Sequence, residues 1–426
     1  MNIWIFNHYA SGANSSGGTR HFDLAKQLVK MGHSVTIYAS SFNHQLLVEE
    51  HLVGSKSIHK ESISEGVKFV WIKTTPYYKN NFKRVFNMLS YTKRAYTIAR
   101  KESSRPDIVI GSLVHPLAAY IGYLIAKKYN SIFYFEERDL WPQTLIDLGK
   151  MSPRNPVIYI LSKIELFLFR KANRIIFLFD KAVNYGESKG ISREKFLYIP
   201  NGFDMDRTFN SIELSTEIKQ VLKNLEQQMI AIYTGAHGKA NNLDVILNTA
   251  SQIMKKETQI HFVLIGDGPE KERLVKRIKR EKITNVTMLP PVKKEMIPEI
   301  LKYADVGLLP LVNSPVFKWG ISPNKLFDYM GASLPVVILC DVEGTPVELA
   351  SGGQVIRGNF EEELVNFLTH IDKSELVRLG NNSRNYVEKN HSWERLATKL
   401  EAQMISDVNK FNKNNLIKSD LFEKNI

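Results

Sequence analysis

Four short segments carry side chains whose types and spacing suit work on an anionic or polyhydroxylated ligand. The first is GISPNKLFDYMGASLPVV, from Gly320 to Val337. Lys325 and Asp328 stand three residues apart, so on a helix they share one face. The turn Ser322, Pro323, Asn324 precedes them and leaves backbone amides for a ligand. An ammonium there can neutralise a diphosphate, and a carboxylate one turn on can accept hydrogen bonds from a ribose diol. A surface ion pair fits the same spacing.

The second segment is YTGAHGKANNL, Tyr233 to Leu243. Gly235 and Gly238 free the backbone, and Lys239 sits just before a helical pattern. A lysine at a helix start opposes the macrodipole unless an anion is present, so it reads as a phosphate ligand or as a solvated charge. The third is SGANSSGGTRH, Ser11 to His21. Gly17 and Gly18 let amides approach a phosphate or sugar hydroxyl at a helix N-terminus, or they form a plain turn. The spacing is neither that of a Walker A loop nor G-x-G-x-x-G. The fourth is FEERDLWP, Phe135 to Pro142, where Glu136, Glu137, Arg138 and Asp139 crowd the end of an apolar strand. Alternation sends Glu137 and Asp139 one way and Arg138 the other. His115, in SLVHPLAA, marks another strand end. No His/Cys/Asp/Glu set has zinc or iron spacing, and no G-x-S-x-G elbow is present.

These segments fall at the ends of apolar strands that alternate with helical patterns. In the first half the strands are Asn2–Asn7, GHSVTIYAS, VKFVWIK, DIVIGS, SIFYFEERD, RIIFLF and FLYIPNG. The helices lie near Thr19–Met31, Pro116–Tyr129 and Ile158–Lys171. The pattern restarts near residue 200 with MIAIYTG, IHFVLIGDG, NVTMLP, DVGLLPL and LPVVILC as strands. The helices between and after them are Asn242–Lys255, Pro269–Lys282, Pro298–Tyr303, Asn324–Met330, Glu361–His370 and Ser374–Lys389. Such alternation predicts parallel sheets covered by helices. Seen twice, it predicts two doubly wound, Rossmann-like α/β domains, residues 1–200 and 201–390, facing a cleft. Ligands bind beyond the carboxyl ends of such strands. Residues 391–409 are expected to form a helix crossing back to the first domain, and 410–426 a polar tail.

A chain of 426 residues accommodates two or three domains. Its 43% hydrophobic and 24% charged residues are ordinary for a globular protein. The single cysteine, Cys340, rules out an internal disulfide framework and reads as a small buried hydrophobe. MNIWIFNHYA lacks the features of a signal peptide, and no window approaches the roughly 20 apolar residues of a membrane span. A cytoplasmic protein is expected. The net charge of +13 lies wholly in residues 1–200; the remainder is balanced. Lys79–Arg105 holds eight basic residues and one acid, interleaved with Phe82, Val85, Phe86, Met88 and Leu89. This pattern suits an anionic membrane surface or a solvated helix face. Nucleic acid is not expected, because no nucleic-acid motif accompanies it.

Taken in order, GG after the first strand, ANRIIFLFDKAVNYGESKGISREKFLYIPNGFD, YTGAHGKANNLDVIL, VLIGDGPEKERL, ADVGLLPL and SPNKLFDYMGASLPVVI resemble glycosyltransferase family 4 over nearly the whole chain. Within it, ERDLWP and SPNKLFDYM are similar to the fucosamine-transferase-like branch of bacterial polysaccharide biosynthesis. The resemblance implies the GT-B fold and retaining transfer of an amino or deoxy sugar. The donor would be a nucleotide-diphosphate sugar and the acceptor a lipid-linked saccharide, at the inner face of the cell membrane. No cofactor or metal is expected. Lys239 and Lys325 would hold and stabilise the departing diphosphate. Asp328 would bind the ribose, Gly17 and Gly18 would approach the donor, and Ile265–Gly268, with Gly266 and Gly268, would approach the base or a nearby wall. Two positions depart from the family. An acid usually stands eight residues before the final one, where this chain has Gly320, so Ser322, Asn324 and the turn amides would substitute. The family's first-domain histidine aligns with Arg138 beside Asp139, which leaves Glu137, Arg138 and Asp139 as catalytic candidates and His115 on the acceptor side. A sugar-nucleotide 2-epimerase of the same architecture is the alternative enzyme, and would release nucleotide without an acceptor. A non-enzymic basic protein binding membrane or nucleic acid is the alternative outside enzymes.

Overall fold

The computed structural model describes residues 1–13, 18–44, 46–78, 82–205, 213–256 and 258–423, with side chains to residue 415. The chain forms two compact units, Met1–Pro200 with Trp393–Ile426, and Asn201–Ser392.

The N-terminal unit contains strands β1 (Asn2–Phe6), β2 (Ser34–Ser40), β3 (Phe42–Asn43), β4 (Val48–Glu49), β5 (His59–Ser64), β6 (Val67–Ile72), β7 (Ile108–Leu113), β8 (Ile132–Glu137), β9 (Arg174–Phe177) and β10 (Phe196–Tyr198). Eight of them make one sheet in the order β10-β9-β8-β7-β1-β2-β6-β5, and β3 and β4 form a separate hairpin. The interior strands are continuous apolar runs because both faces are covered. Only β5 pairs antiparallel, along the edge of β6. This edge strand, HKESIS, is polar enough to have escaped the expected pattern.

The helices of this unit are α1 (Arg20–Lys30), α2 (Phe82–Ala99), α3 (Pro116–Tyr129), α4 (Gln143–Asp147), α5 (Pro156–Lys171) and α6 (Ala182–Ser188). One sheet face carries Trp4, Phe133 and Phe135, which meet Tyr129 of α3, Tyr123 of α3 and Phe169 of α5 at ring separations of 5.5, 5.8 and 5.6 Å. The other face, with Ile3, Ile5, Ile37 and Ile110, packs on Phe22, Ala25 and Leu28 of α1 and on the C-terminal helix. That helix offers Trp393, Leu396, Ala397, Leu400 and Met404 as one apolar stripe. It is tied down further at Asp407, which accepts from Tyr134 Oη at 2.6 Å and from Arg174 Nε and Nη2 at 2.7 Å each. The helix runs Trp393–Glu423, well past residue 409 and into the segment expected to be a tail. Among the described residues no helix is long and apolar enough to cross a membrane.

The second unit contains β11 (Met229–Thr234), β12 (Ile260–Ile265), β13 (Val286–Leu289), β14 (Val306–Pro310), β15 (Val336–Leu339) and β16 (Gly353–Ile356). All are parallel, in the order β13-β12-β11-β14-β15-β16. Counted from β11 this is 3-2-1-4-5-6, the dinucleotide-binding order, with its switch point between β11 and β14. Its helices are α7 (Thr216–Lys223), α8 (Leu243–Met254), α9 (Lys271–Arg280), α10 (Ile297–Leu301), α11 (Asn324–Gly331), α12 (Pro346–Ala350), α13 (Phe360–His370) and α14 (Lys373–Asn390). Two core clusters fill the spaces on either side of the sheet. Cys340, at the end of β15, is buried there and its thiol is pushed up to about 12 by burial.

The strand ends of the N-terminal unit are fixed by a buried polar network around Glu136. Its carboxylate accepts from Arg20 Nε at 2.8 Å, His21 Nε2 at 2.6 Å and Ser112 Oγ at 2.6 Å. Asn7 Nδ2 faces His21 Nδ1 at 2.8 Å, so the network makes Nδ1 the acceptor and Nε2 the donor. Arg20 also donates to the carbonyls of Ile199 and Pro200, at 2.7 and 2.5 Å. Burial pushes the Glu136 carboxyl up, but His21 and Arg20 outweigh it and hold the group well below the usual range. Replacing Arg20 by Met would strand that charge. We expect Arg20→Met to lower the stability of this unit by about 3–5 kcal/mol, read from its urea transition, and the Arg20→Met, Glu136→Gln pair to recover part of the loss.

Candidate active site

In the C-terminal unit the loop after β11 and helix α11 meet at the switch point. Lys325 reaches from the first turn of α11 to the end of β11. Its Nζ lies 2.8 Å from Tyr233 Oη, 3.3 Å from Asn241 Oδ1 and 4.1 Å above the Tyr233 ring. All these partners are neutral. Among the described residues no carboxylate lies within ion-pair distance of it. Burial without a counter-charge lowers its pKa to about 7. Such an ammonium is incompletely compensated by its neutral neighbours.

Lys239 opens a 3-10 turn, Lys239–Asn241, and its side chain is exposed. Asn241 links this turn to Lys325, and its Nδ2 donates to Ala236 O at 2.9 Å. Asp328 has different neighbours from Lys325. It lines a small pocket with Phe203, Asp204, Lys294, Ile297 and Pro298, so the spacing of three residues does not bring the two to one contact.

The turn before α11 is partly committed. Ser322 Oγ accepts from Asn201 N at 2.9 Å, and its carbonyl accepts from Asn201 Nδ2 at 2.6 Å. The hydroxyl expected to meet a donor sugar thus holds the start of the unit's chain. Pro323 precedes the first helical turn and Asn324 opens it. Gly320 has φ +106°, a conformation that L residues rarely adopt. An acid is disfavoured there by the backbone itself.

Gly266 and Gly268 have a structural reason that differs from the expected wall against a nucleobase. A Cβ on Gly266 would stand 1.9 Å from Gly235 O, and one on Gly268 would stand 2.5 Å from His237 O. The loops after β11 and β12 pack backbone to backbone, joined by Gly235 N to Ile265 O at 2.9 Å and His237 N to Asp267 O at 2.7 Å. Between them lies His237, which the sequence reading passed over. It is fully buried and neither ring nitrogen has a hydrogen-bond partner. Burial, then Lys271, lowers its pKa to about 4. A histidine between two glycines in a strand-end loop was the available signal.

In the N-terminal unit Gly17 lies outside the described residues. Gly18 precedes Thr19 at the start of α1. The charged end of β8 divides. Glu136 serves the network above, and Glu137 turns into the packing with α5 and α6. There its Oε1 accepts from Trp141 N at 3.1 Å, and the carboxyl shares a buried space with Glu165, which accepts from Tyr185 Oη at 2.5 Å. Burial and Glu165 push Glu137 well above the usual carboxylate range, and burial raises Glu165 too. Glu137 is therefore packed in the interior between helices and is not presented at the strand end, contrary to its expected place beside an anomeric carbon. Asp139 is exposed at the strand end, and Arg138 is half-buried with an unpartnered, buried Nε. His115, at the end of β7, is buried, with its Nε2 2.7 Å from His8 Nδ1. Among the described residues no group of three or more His, Cys, Asp or Glu is placed to hold a metal ion.

Two family models match the chain: "Glycosyltransferase Family 4" over residues 16–207 and "Glycosyl transferases group 1" over residues 228–371. A protein named as a colanic acid biosynthesis glycosyl transferase, WcaI of Escherichia coli K12, is 20% identical over 348 residues, covering 80% of this chain and 84% of that one. Among solved structures, sucrose-phosphate synthase from Thermosynechococcus elongatus aligns with TM-score 0.75 at 14% identity, covering 96% of this chain and 99% of that one. Anabaena Alr3699/HepE, solved in complex with UDP-glucose, aligns with TM-score 0.67 at 13% identity, covering 95% and 100%. These structures share the two-domain GT-B fold with this chain.

The Glu137–Glu165 pair sets a pH dependence of stability. Both carboxyls are raised in the folded state, so their contribution is complete below the unfolded carboxylate pKa and is lost as pH rises through the raised values. Glu165→Gln keeps a neutral partner for Glu137. We expect this variant to gain melting temperature relative to the parent at pH 8 and to gain little or nothing at pH 5, measured by calorimetry at both.

Proposed function

Because the chain is a glycosyltransferase of family 4, we propose that it moves an amino or deoxy sugar, with retention, from a nucleotide-diphosphate donor held by the C-terminal unit to a lipid-linked saccharide. The acceptor would belong to surface polysaccharide biosynthesis. The observation that carries the donor assignment is Lys325: a half-buried ammonium with only neutral oxygens around it, at the switch point of a 3-2-1-4-5-6 sheet. A diphosphate supplies the missing charge. Lys239, exposed on the adjoining turn, would supply a second cation. As the bond from the anomeric carbon to the phosphate oxygen breaks, both would stabilise the negative charge growing on the leaving group. The acceptor hydroxyl forms the new bond from the same face and gives its proton to the departing phosphate. His237 lies within the field of Lys325 and Lys271 and would donate or accept one further hydrogen bond at this loop. Asp328 remains the proposed ribose ligand, though its pocket neighbours set it apart from Lys325.

The sign of the pH effect follows from Lys325. A bound diphosphate favours the charged form, so affinity for UDP or GDP should be highest below pH 7 and fall above it, by up to about tenfold per pH unit. Lys325→Ala should weaken nucleotide binding about 10- to 100-fold at pH 6.5 and flatten the fall above pH 7. Titration calorimetry checks both. Equal affinity in parent and variant would remove Lys325 from the donor site.

The basic segment supports a membrane-surface acceptor. Helix α2 leaves Phe82, Val85, Phe86 and Leu89 exposed beside Lys83 and Lys93. Not every basic residue faces outward: Arg94 Nη1 donates to Lys73 O at 2.5 Å, and Arg84 turns to Tyr9. A face that combines exposed aromatic rings with lysines suits the interface of an anionic bilayer. Phe86→Asp with Leu89→Asp should reduce co-sedimentation with phosphatidylglycerol vesicles several-fold while leaving UDP affinity intact. Unchanged co-sedimentation would assign that face to another role.

A further inference from the structure

The exposed apolar face of α2 has a counterpart on α5. Both helices pack against α3 on one face of the N-terminal sheet. Tyr129 Oη of α3 donates to Ala99 O of α2 at 3.0 Å, and Tyr120 and Tyr123 of α3 meet the Phe167 ring of α5 at 6.0 and 5.2 Å. The strands that these helices connect are parallel. Each helix therefore runs back along the sheet, and its first turn lies at the carboxyl end of the strands. On both helices the large apolar side chains left exposed stand at that end. On α2 they are Phe82, Val85, Phe86 and Leu89, all in the first half of the helix, and on α5 they are Val157, Tyr159 and Ile160. Farther along α5 the apolar side chains Leu168 and Phe169 are buried. Clustered apolar side chains in water mark a surface that something covers.

Charge decides what kind of cover fits. Residues 1–200 carry the whole net charge of +13. Lys83 and Lys93 are exposed on α2, and Lys163 is exposed on α5, with Arg154 exposed just before that helix. Lys163 Nζ lies 5.2 Å from the centroid of the Tyr159 ring. An aromatic ring with a lysine one turn on suits a lipid interface, the ring at headgroup depth and the ammonium among phosphates. The first turns of α2, α3 and α5 contain no Asp or Glu, although an acid there would complement the positive end of the helix dipole. In the C-terminal unit α7, α8, α9 and α14 carry Glu217, Asp244, Glu272 and Glu375 in that place. These helix ends of the N-terminal unit thus set cations and positive dipole ends beside apolar rings, with no acid in the first turns to repel an anionic surface. The two apolar clusters stand on either side of α3, roughly 16–20 Å apart by two interaxial spacings. A protein partner is met best by one continuous apolar core with a polar rim, whereas a fluid surface accepts separate insertions.

We propose that the amino-terminal ends of α2 and α5 dock together on an anionic bilayer. Phe82, Phe86 and Leu89 enter it from one helix and Val157, Tyr159 and Ile160 from the other, so that the carboxyl edge of the N-terminal sheet faces the headgroups. The inference rests on the membrane-surface acceptor proposed above and changes its geometry. The α2 face alone would lie on the surface as a single amphipathic helix, whereas a second point of contact fixes the tilt of the unit. Two weak contacts on one rigid body also bind as a pair, because the first holds the second at high effective concentration.

The test uses the full chain carrying an environment-sensitive fluorophore. Cys340 is the only cysteine and is buried, so a thiol introduced by Phe86→Cys, Ile160→Cys or, as control, Val377→Cys on α14 is labelled selectively. All three positions are exposed. On adding phosphatidylglycerol vesicles, emission should shift to the blue and rise several-fold at positions 86 and 160 and stay unchanged at 377. The response should weaken in high salt and with phosphatidylcholine vesicles. In the unlabelled chain, Val157→Asp with Ile160→Asp should lower vesicle partitioning about tenfold or more although the α2 face is intact. An acid at position 157 favours the first turn of α5, and a melting temperature equal to the parent's shows that the fold is kept. A response at 86 without one at 160, or an aspartate pair that partitions as the parent does, would overturn the second contact and leave the α2 face alone. No response at either position would overturn both membrane readings, and a rise to dimer mass in light scattering would then assign these faces to a second copy. If both positions respond, while transfer goes to a soluble saccharide equally well with and without vesicles, the lipid-linked acceptor reading fails and the docking stands.

Discussion

The N-terminal unit is organised around a carboxylate that never meets water. Glu136 takes one donor from each of three directions: Arg20 and His21 from α1, and Ser112 from the neighbouring strand. Desolvating such a charge costs several kcal/mol, and the donors must stand in fixed places to offset it. Fixing them fixes the entry of α1, the spacing of β7 and β8, and, through Arg20, the carbonyls at Ile199 and Pro200. The C-terminal unit presents the converse. Lys325 is desolvated too, yet only neutral oxygens attend it. One charge is met by charged and polar partners within the fold, and the other by neutral oxygens alone.

Much of this was legible in the residues. The apolar runs and their alternation with helices gave two doubly wound sheets because parallel strands are buried on both faces and write themselves as continuous hydrophobic segments. Lys325 was legible as a cation at a helix start after a strand. What escaped was whatever depended on short or polar stretches. β5 carries a single apolar side chain, Ile63, that is itself exposed, and β16 is four residues at a sheet edge. Spacing alone misjudged Lys325 and Asp328, since α11 is short and its two sides meet different loops. At the end of β8, strand alternation divided the charges between two faces, with Glu137 and Asp139 on one and Arg138 on the other. The structure separates them into a network carboxylate, a buried packing carboxyl, a half-buried arginine and an exposed aspartate, a division set by which helices happen to cover each face. Gly266 and Gly268 were read for what they let in, whereas the two loops need them for each other.

The two units also differ in the kind of cation they use. Arginine stays charged at any pH a cell encounters, so Arg84 and Arg138 present a fixed positive field, and the neighbouring imidazoles are kept neutral by it and by burial. Lysine shifts readily when buried, and burial lowers Lys325 to about 7.

The N-terminal sheet is completed by a helix from the far end of the chain. Trp393, Leu396, Leu400 and Met404 belong to the same core as Ile3, Phe22 and Leu28, and the whole of Asn201–Ser392 lies between them in sequence. A ribosome adding about 5–20 residues per second takes on the order of ten seconds or more to make that insertion. During synthesis the first 200 residues therefore wait with the part of one sheet face beside α1 uncovered, while the C-terminal unit already has every residue it needs. The second unit made is the first that can finish folding, and the exposed face of the first is the interval's point of exposure to aggregation and to chaperones.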